Sequence, residues 1–168
     1  MKHTQRLIQL ALLAALILGL GAPVVAQGEQ EQQIKRKDVP AAVLAAFAKA
    51  YPNAKIKGYS KEPETENGQA VYEIECAEGK TTRDVTYAAD GTLVLIEETL
   101  DTSELPPGVK AALDNKFPDG KIRKAERVTK GTDVRYEFKI KHNGQTTEIV
   151  FDPEGNELER EAKKGDAG

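Results

Sequence analysis

Cysteine and histidine are nearly missing from this 168-residue sequence, and each shortage closes off a class of function. Cys76 is the single cysteine, so no intrachain disulfide can form and the fold rests on burial alone. Its place in an apolar alternation marks it as a small buried side chain. A lipoprotein would need a cysteine where its signal is cleaved, and none stands there. Of the two histidines, His3 lies in the amino-terminal segment, which leaves His142 in the turn-like stretch "KHNG", where it is expected to be solvated. A Ser–His or Cys–His nucleophile pair therefore has no support. Cys/His metal spacing and a phosphate-cradling glycine loop are missing too. Carboxylates are plentiful, but 27 acidic groups supply close pairs by chance and so argue no general acid and base. The expectation is a protein that is not an enzyme and takes no cofactor.

Long apolar runs are scarce. The one present, Leu7 to Leu20, is broken only by Gln9 and Gly19, follows Lys2 and Arg6, and leads to the small residues Val24 and Ala26 of "PVVAQ". These are the parts of a secretory signal, residues 1–26, cleaved after Ala26. The run is short of the roughly 20 residues that span a bilayer, so no membrane span is expected after cleavage. The expected location is periplasmic or secreted. A basic excess is lacking as well: without residues 1–26 the chain has 22 Lys plus Arg against 27 Asp plus Glu. That balance offers no broad positive field for nucleic acid or anionic lipid.

What the chain does contain is a repeat. "VPAAVLAAFAKAYPNAKIKG", from Val39, returns as "LPPGVKAALDNKFPDGKIRK", from Leu105. Val43, Ala46, Phe47 and Ala50 recur at helical spacing, with Asp38 and Pro40 as a start signal and "YPN" as a stop. The second copy repeats this with Val109, Ala112, Leu113 and Phe117, entered through "SELPP" and halted by "FPDG". Each helix has one narrow apolar stripe, which needs another layer to lie on.

The pattern then changes to period two. In "DVRYEFKIK", Val134, Tyr136, Phe138 and Ile140 point one way, and Arg135, Glu137, Lys139 and Lys141 the other. "AVYEIEC" answers in the first copy, with Tyr72, Ile74 and Cys76 inward and Glu73 and Glu75 outward. The next strands place Val85 and Tyr87 where the second copy has Ile149 and Phe151, and turns follow at Gly91 and Gly155. The offset between copies, set by Val39 and Leu105 at the helices, is slightly shorter at Tyr72 and Tyr136. The difference falls between the first two strands of each copy, where a hairpin tip absorbs it. The fold class expected is α+β: two tandem modules, each one helix packed on a four-stranded antiparallel sheet. The divisions are a flexible leader at 27–38, modules at 39–100 and 103–161, and a disordered tail at 162–168. The strand "TLVLIEE" is apolar on both faces, unlike its counterpart "NELERE", and is expected to lie buried at the junction between modules.

The run from "VPAAVLAAFAKAYPNAKI" through "YEIE" to "VTYAADGTL", repeated as "LPPGVKAALDNKFPDGKI", "YEFKI" and "IVFDPEGNEL", resembles the PepSY-like family, also described as similar to β-lactamase inhibitor protein. The resemblance covers residues 39 to about 161 in two tandem copies. It implies an exported α+β module, and the related inhibitor presents a concave sheet surface to an enzyme. That inhibitor's disulfides have no counterpart here, since Cys76 is alone.

The outward strand positions carry mixed charge and read as a solvated face. Lys55, Lys57 and Tyr59 offer a recognition cluster on the first strand, and with Glu73, Glu75, Arg135, Glu137 and Lys139 they form the candidate partner-binding set. Glu62, Glu64 and Glu66 could hold a hard cation such as calcium through oxygen ligands. The expected partner is another protein, such as an envelope or secreted hydrolase or peptidase, bound or inhibited across the paired sheets. The alternative is a small-ligand or metal-responsive envelope protein with an otherwise structural or stress role. The sequence sets no oligomeric state.

Overall fold

The computed structural model of the chain describes residues 31–62 and 69–163. Residues 1–26, together with Glu64 and Glu66, lie outside them.

Helix α1 (Ala41–Ala50) turns Val43 and Phe47, one turn apart, into the interior. Its last turn closes where the Tyr51 N–H donates to the Phe47 carbonyl at 2.8 Å, and Pro52 follows. Helix α2 (Pro107–Lys116) buries Val109 and Leu113 in the same way and ends where the Phe117 N–H donates to the Leu113 carbonyl, also at 2.8 Å. Both helices start at a proline, which cannot extend a helix backward and fixes φ for the first turn.

The strands are β1 (Gln32–Gln33), β2 (Lys55–Glu62), β3 (Val71–Glu78), β4 (Thr81–Ala88) and β5 (Leu93–Thr99), then β6 (Lys121–Lys130), β7 (Asp133–His142), β8 (Gln145–Phe151) and β9 (Glu157–Lys163). Each module thus has the expected helix followed by four strands. All nine strands pair antiparallel in chain order as one sheet. The link between modules is β5 against β6, with Ile96, Glu97, Glu98 and Thr99 opposite Thr129, Val128, Arg127 and Glu126.

Register continuity puts both helices on one face. Ile74, Val85 and Ile96 stand opposite one another across β3, β4 and β5, and Arg127 opposite Tyr136 carries the same face on to Phe151. On it lie two cores: Val43, Phe47, Ile74, Cys76, Val85 and Tyr87 in the first, and Val109, Leu113, Tyr136, Phe138, Ile140 and Phe151 among those in the second. Between the cores runs an ionic row, with Arg83 Nε 2.9 Å from Glu98 Oε2 and Arg127 paired to the other Glu98 oxygen.

The module boundaries need revision at both ends. Gln32 and Gln33 of the expected leader pair with Lys61 and Ser60 as β1, and Ile34 packs on the first core. This stretch copies the segment before α2. The Ile34 N–H donates to the Tyr59 carbonyl at 2.9 Å and the Leu100 N–H to the Ala125 carbonyl at 2.9 Å, so the same bond recurs at equivalent positions of the repeat. Each unit therefore begins with a strand that precedes its helix. At the far end β9 extends to Lys163, two residues into the expected tail.

Strand β5 is central, as expected, but not buried on both faces. Leu93 is 50% exposed, and the other β5 residues are half-buried. The joint is made by backbone pairing rather than by enclosing the strand. The turns at Gly91 and Gly155 have φ of +88° and +89°, open to glycine without strain. A Cβ at Gly91 would meet the Ala42 carbonyl at 2.8 Å, and one at Gly155 the Gly108 carbonyl at 2.3 Å, so each helix sits directly on its module's last turn.

Candidate functional site

Among the described residues the sheet's second face carries no helix, and its side chains follow from the period of two. Ser60 lies opposite Glu73, Glu75 opposite Asp84, and Asp84 opposite Glu97. Thr99 lies opposite Glu126, Glu126 opposite Glu137, and Lys139 opposite Glu148. Like charges directly across a ladder repel, so this row of carboxylates works against the sheet that presents it.

Two carboxylate trios stand out. Glu31, Glu62 and Glu73 each place an oxygen within 4.8 Å of the others, and so do Glu97, Glu126 and Glu137. Glu73 is only 9% exposed, and burial, followed by the charges of Asp84, Glu62, Glu31 and Glu97, pushes its carboxyl up to about 8. No hydrogen bond or ion pair with another described residue compensates it. Glu62 is raised by burial and by Glu31, against a hydrogen bond from Ser60 Oγ at 3.1 Å. In the second trio burial, Glu126, Glu137 and Asp84 push Glu97 up to about 7, while Lys124 pulls the other way. Glu137 is likewise raised by burial and by Glu126. Lys124 Nζ pairs with the buried Glu126 at 2.5 Å.

Two members of each trio are related by the repeat. Glu31 and Glu97, on the chain leading to each helix, share the offset of Val39 and Leu105. Glu73 and Glu137, on the third strand of each unit, share that of Tyr72 and Tyr136. The remaining members do not correspond: Glu126 is the equivalent of Ser60, each standing opposite the third-strand carboxylate, whereas Glu62 lies two residues further along β2.

The family model described as beta-lactamase-inhibitor-like and PepSY-like matches residues 27–94 and again 70–159. The chain belongs to the PepSY-like family. Solved structures agree on its fold. A Bacteroides eggerthii protein described as periplasmic superposes with a TM-score of 0.64 at 19% identity, over 75% of this chain and 90% of its own. A DUF2874 family protein from Bacteroides ovatus gives 0.63 at 18%, over 74% and 87%. A BLIP-like protein from Bacteroides fragilis gives 0.59 at 20%, over 77% and 91%. No curated protein matches the chain.

In this PepSY-like pair the sequence-derived binding set divides between the two faces. Lys55, opposite Ala77, lies on the open face and is exposed. A β-bulge between Ile56 and Gly58 leaves Lys57 unpaired and reverses the alternation beyond it. Tyr59 therefore stands opposite Ile74 and packs against the first core, so the expected cluster of Lys55, Lys57 and Tyr59 does not form. Glu73, Glu75, Arg135, Glu137 and Lys139 are on the open face. Arg135 pairs with Asp133 at 2.9 Å and Glu159 at 3.5 Å, and Lys139 with Glu148 at 3.0 Å. Glu73 is not the solvated side chain expected of an outward position; crowding by neighbouring strands encloses it.

Glu31, Glu97 and Glu126 went unread in the sequence. Extending the repeat backward past the helix, at the offset of Val39 and Leu105, would have aligned Glu31 with Glu97 and Ile34 with Leu100. His142 is also less exposed than expected. It ends β7, half-buried, with its ring edge-on to Phe117 at 5.7 Å between centroids, and the turn proper is Asn143–Gly144. Cys76 is fully buried, as expected, and burial raises its thiol pKa. Among the described residues no helix is long and apolar enough to cross a membrane. On the helix side a shallow open cleft, lined by Ala46, Tyr51, Tyr87 and Leu93 among others, lacks the convergent polar groups of a small-ligand pocket.

Proposed function

We propose that the chain is an exported, non-catalytic binding module that grips an envelope or secreted hydrolase or peptidase with the open face of its continuous sheet. The observation that carries this reading is a single helix-free surface running unbroken across both modules. Nine strands about 4.8 Å apart, all but the short β1 at least about seven residues long, present roughly 38 Å by 23 Å, or about 900 Å². A standard protein interface takes about 800 Å² from each partner, more than one module's half of the sheet supplies. The inhibitor-like description of the family and the BLIP-like neighbour support a protein target of the hydrolase class. Doubling the module thus supplies the width.

The test is a binding and inhibition screen of secreted and periplasmic hydrolases, β-lactamases among them, against the wild type and two variants. Glu75→Lys with Arg135→Glu changes the open face, whereas Lys49→Glu changes the helix side. The expected result is a hydrolase bound by the wild type and by Lys49→Glu but released by the open-face pair. A screen with no bound hydrolase, or a bound one indifferent to the open-face change, refutes the reading.

A further inference from the structure

Besides the place of their third carboxylate, the two trios differ in counter-charge. In the second module Lys124 brings its ammonium onto Glu126 and pulls against the raised carboxyls of Glu97 and Glu137, so that trio has an internal counter-charge. The residue at the equivalent position of the first module, behind the same β-bulge, is Gly58. It has no side chain to offer. The space a Cβ would enter there faces Glu75 Oε2 at 3.5 Å and Gln33 Oε1 at 3.8 Å, both acceptors. The first trio therefore keeps two of the same carboxylates, Glu31 and Glu73, and takes its third from Glu62, two residues beyond Ser60, the equivalent of Glu126; among the described residues no cation pairs with Glu73, which is about nine-tenths buried and points into the trio without a compensating partner.

We propose that Glu31, Glu62 and Glu73 form a binding site for a divalent, oxygen-preferring cation of the calcium class, seated among their three carboxylates on the open face of the first module. The ligand chemistry is all hard oxygen, which suits calcium or magnesium and not zinc. Calcium sits about 2.4 Å from its ligands, so opposing oxygens lie up to about 4.8 Å apart. The trio's oxygens fall within that limit, 4.8 Å, without rearrangement. Magnesium, at about 2.1 Å, demands near-ideal octahedral geometry and gives up its waters reluctantly, so three carboxylates from separate stretches of chain suit it less well. Three carboxylates from β2, β3 and the chain entering β1 would also tie the first edge of the sheet together. The inference is independent of protein capture, since it stands whether or not a hydrolase is found.

Calorimetric titration of the purified protein with calcium chloride, and then with magnesium chloride, tests it. One calcium per chain is expected, with a Kd on the order of 10⁻⁴–10⁻³ M, a melting point raised by several degrees in calcium, and weaker binding of magnesium. Glu73→Gln keeps the shape and should abolish both the heat and the thermal shift. Gly58→Lys should do the same by supplying the ammonium internally, and its Cβ meets nothing closer than 3.5 Å, so it should fold. Lys124→Ala should raise the stoichiometry from one ion to two. No saturable heat up to 10-fold above the expected Kd overturns the proposal. So does binding that survives Glu73→Gln, which would be diffuse screening of an acidic surface. A Lys124→Ala protein that still takes one ion refutes the role given to that ammonium and the comparison the site rests on.

Discussion

Replacing Glu98 with Gln removes the charge at the centre of the ionic row between the two cores. Glu98 faces Arg83 on β4 and Arg127 on β6, and its side chain is 13% exposed, against 19% for Arg83 and 46% for Arg127. Fully exposed pairs contribute about 0.2–1 kcal/mol, whereas breaking a fully buried pair costs about 3–5 kcal/mol. The Arg83 arm lies near the buried end of that range and the Arg127 arm near the exposed end. A loss of about 2 kcal/mol follows, mostly from Arg83. The Arg83 guanidinium also lies 5.5 Å from the Tyr51 ring centroid. For a chain of this size each kcal/mol lowers Tm by roughly 3–5 °C, so the melt should fall by about 6–10 °C. Urea unfolding supplies the free energy, and a double-mutant cycle with Arg127→Ala separates the two arms. In 1 M salt, where the Debye length is about 3 Å, the Arg127 coupling should vanish while most of the Arg83 coupling stays. A Glu98→Gln protein within about 0.5 kcal/mol of the wild type, the range of an ordinary surface substitution, would show that the row does not brace the junction. A loss wholly erased by salt would show the same.

Phe47→Ala empties the middle of the first core, where Phe47 is 3% exposed, and should cost about 3–5 kcal/mol by chemical denaturation. Gly155→Ala should lose well over about 1 kcal/mol, because its φ of +89° and the Gly108 carbonyl at 2.3 Å from a new Cβ both oppose it. Stability should depend on pH through Glu73 and Glu97, raised to about 8 and about 7 from 4.5. A raised carboxyl holds its proton in the folded chain after the unfolded chain has lost it, so stability is full below about pH 4.5 and falls as pH rises through 7 to 8. Thermal melts in chelator should therefore drop between pH 5 and pH 8, and Glu73→Gln should flatten that drop; a melt that rises over this range contradicts the burial of these groups.

The parts legible in the sequence were those fixed by local pattern. Val43 and Phe47 at helical spacing, "YPN" and "FPDG" as stops, and the alternation of Tyr136, Phe138 and Ile140 sufficed for both helices and all eight principal strands. The joint at β5 was legible because its apolar composition has no match in β9. What stayed hidden depends on pairing between distant strands. A bulge at Lys57 moves Tyr59 to the other face, and period-two reading alone does not register it. Glu31 sat in a polar run with too few apolar residues to show a period, although two of its neighbours form a strand. Outward alternation placed Glu73 and Glu137 on the open face but not their enclosure, which comes from carboxylates on other strands brought alongside by the register.

Everything proposed for the open face requires that the two modules share one sheet. Solution NMR of the backbone decides this through cross-strand proton contacts between Glu97 and Val128 and through amide exchange along β5 and β6. Contacts in the register Ile96–Thr129 to Thr99–Glu126, with exchange as slow as in β3 and β7, are the expected result. Missing contacts and fast exchange at that seam would mean two separate sheets and no common surface.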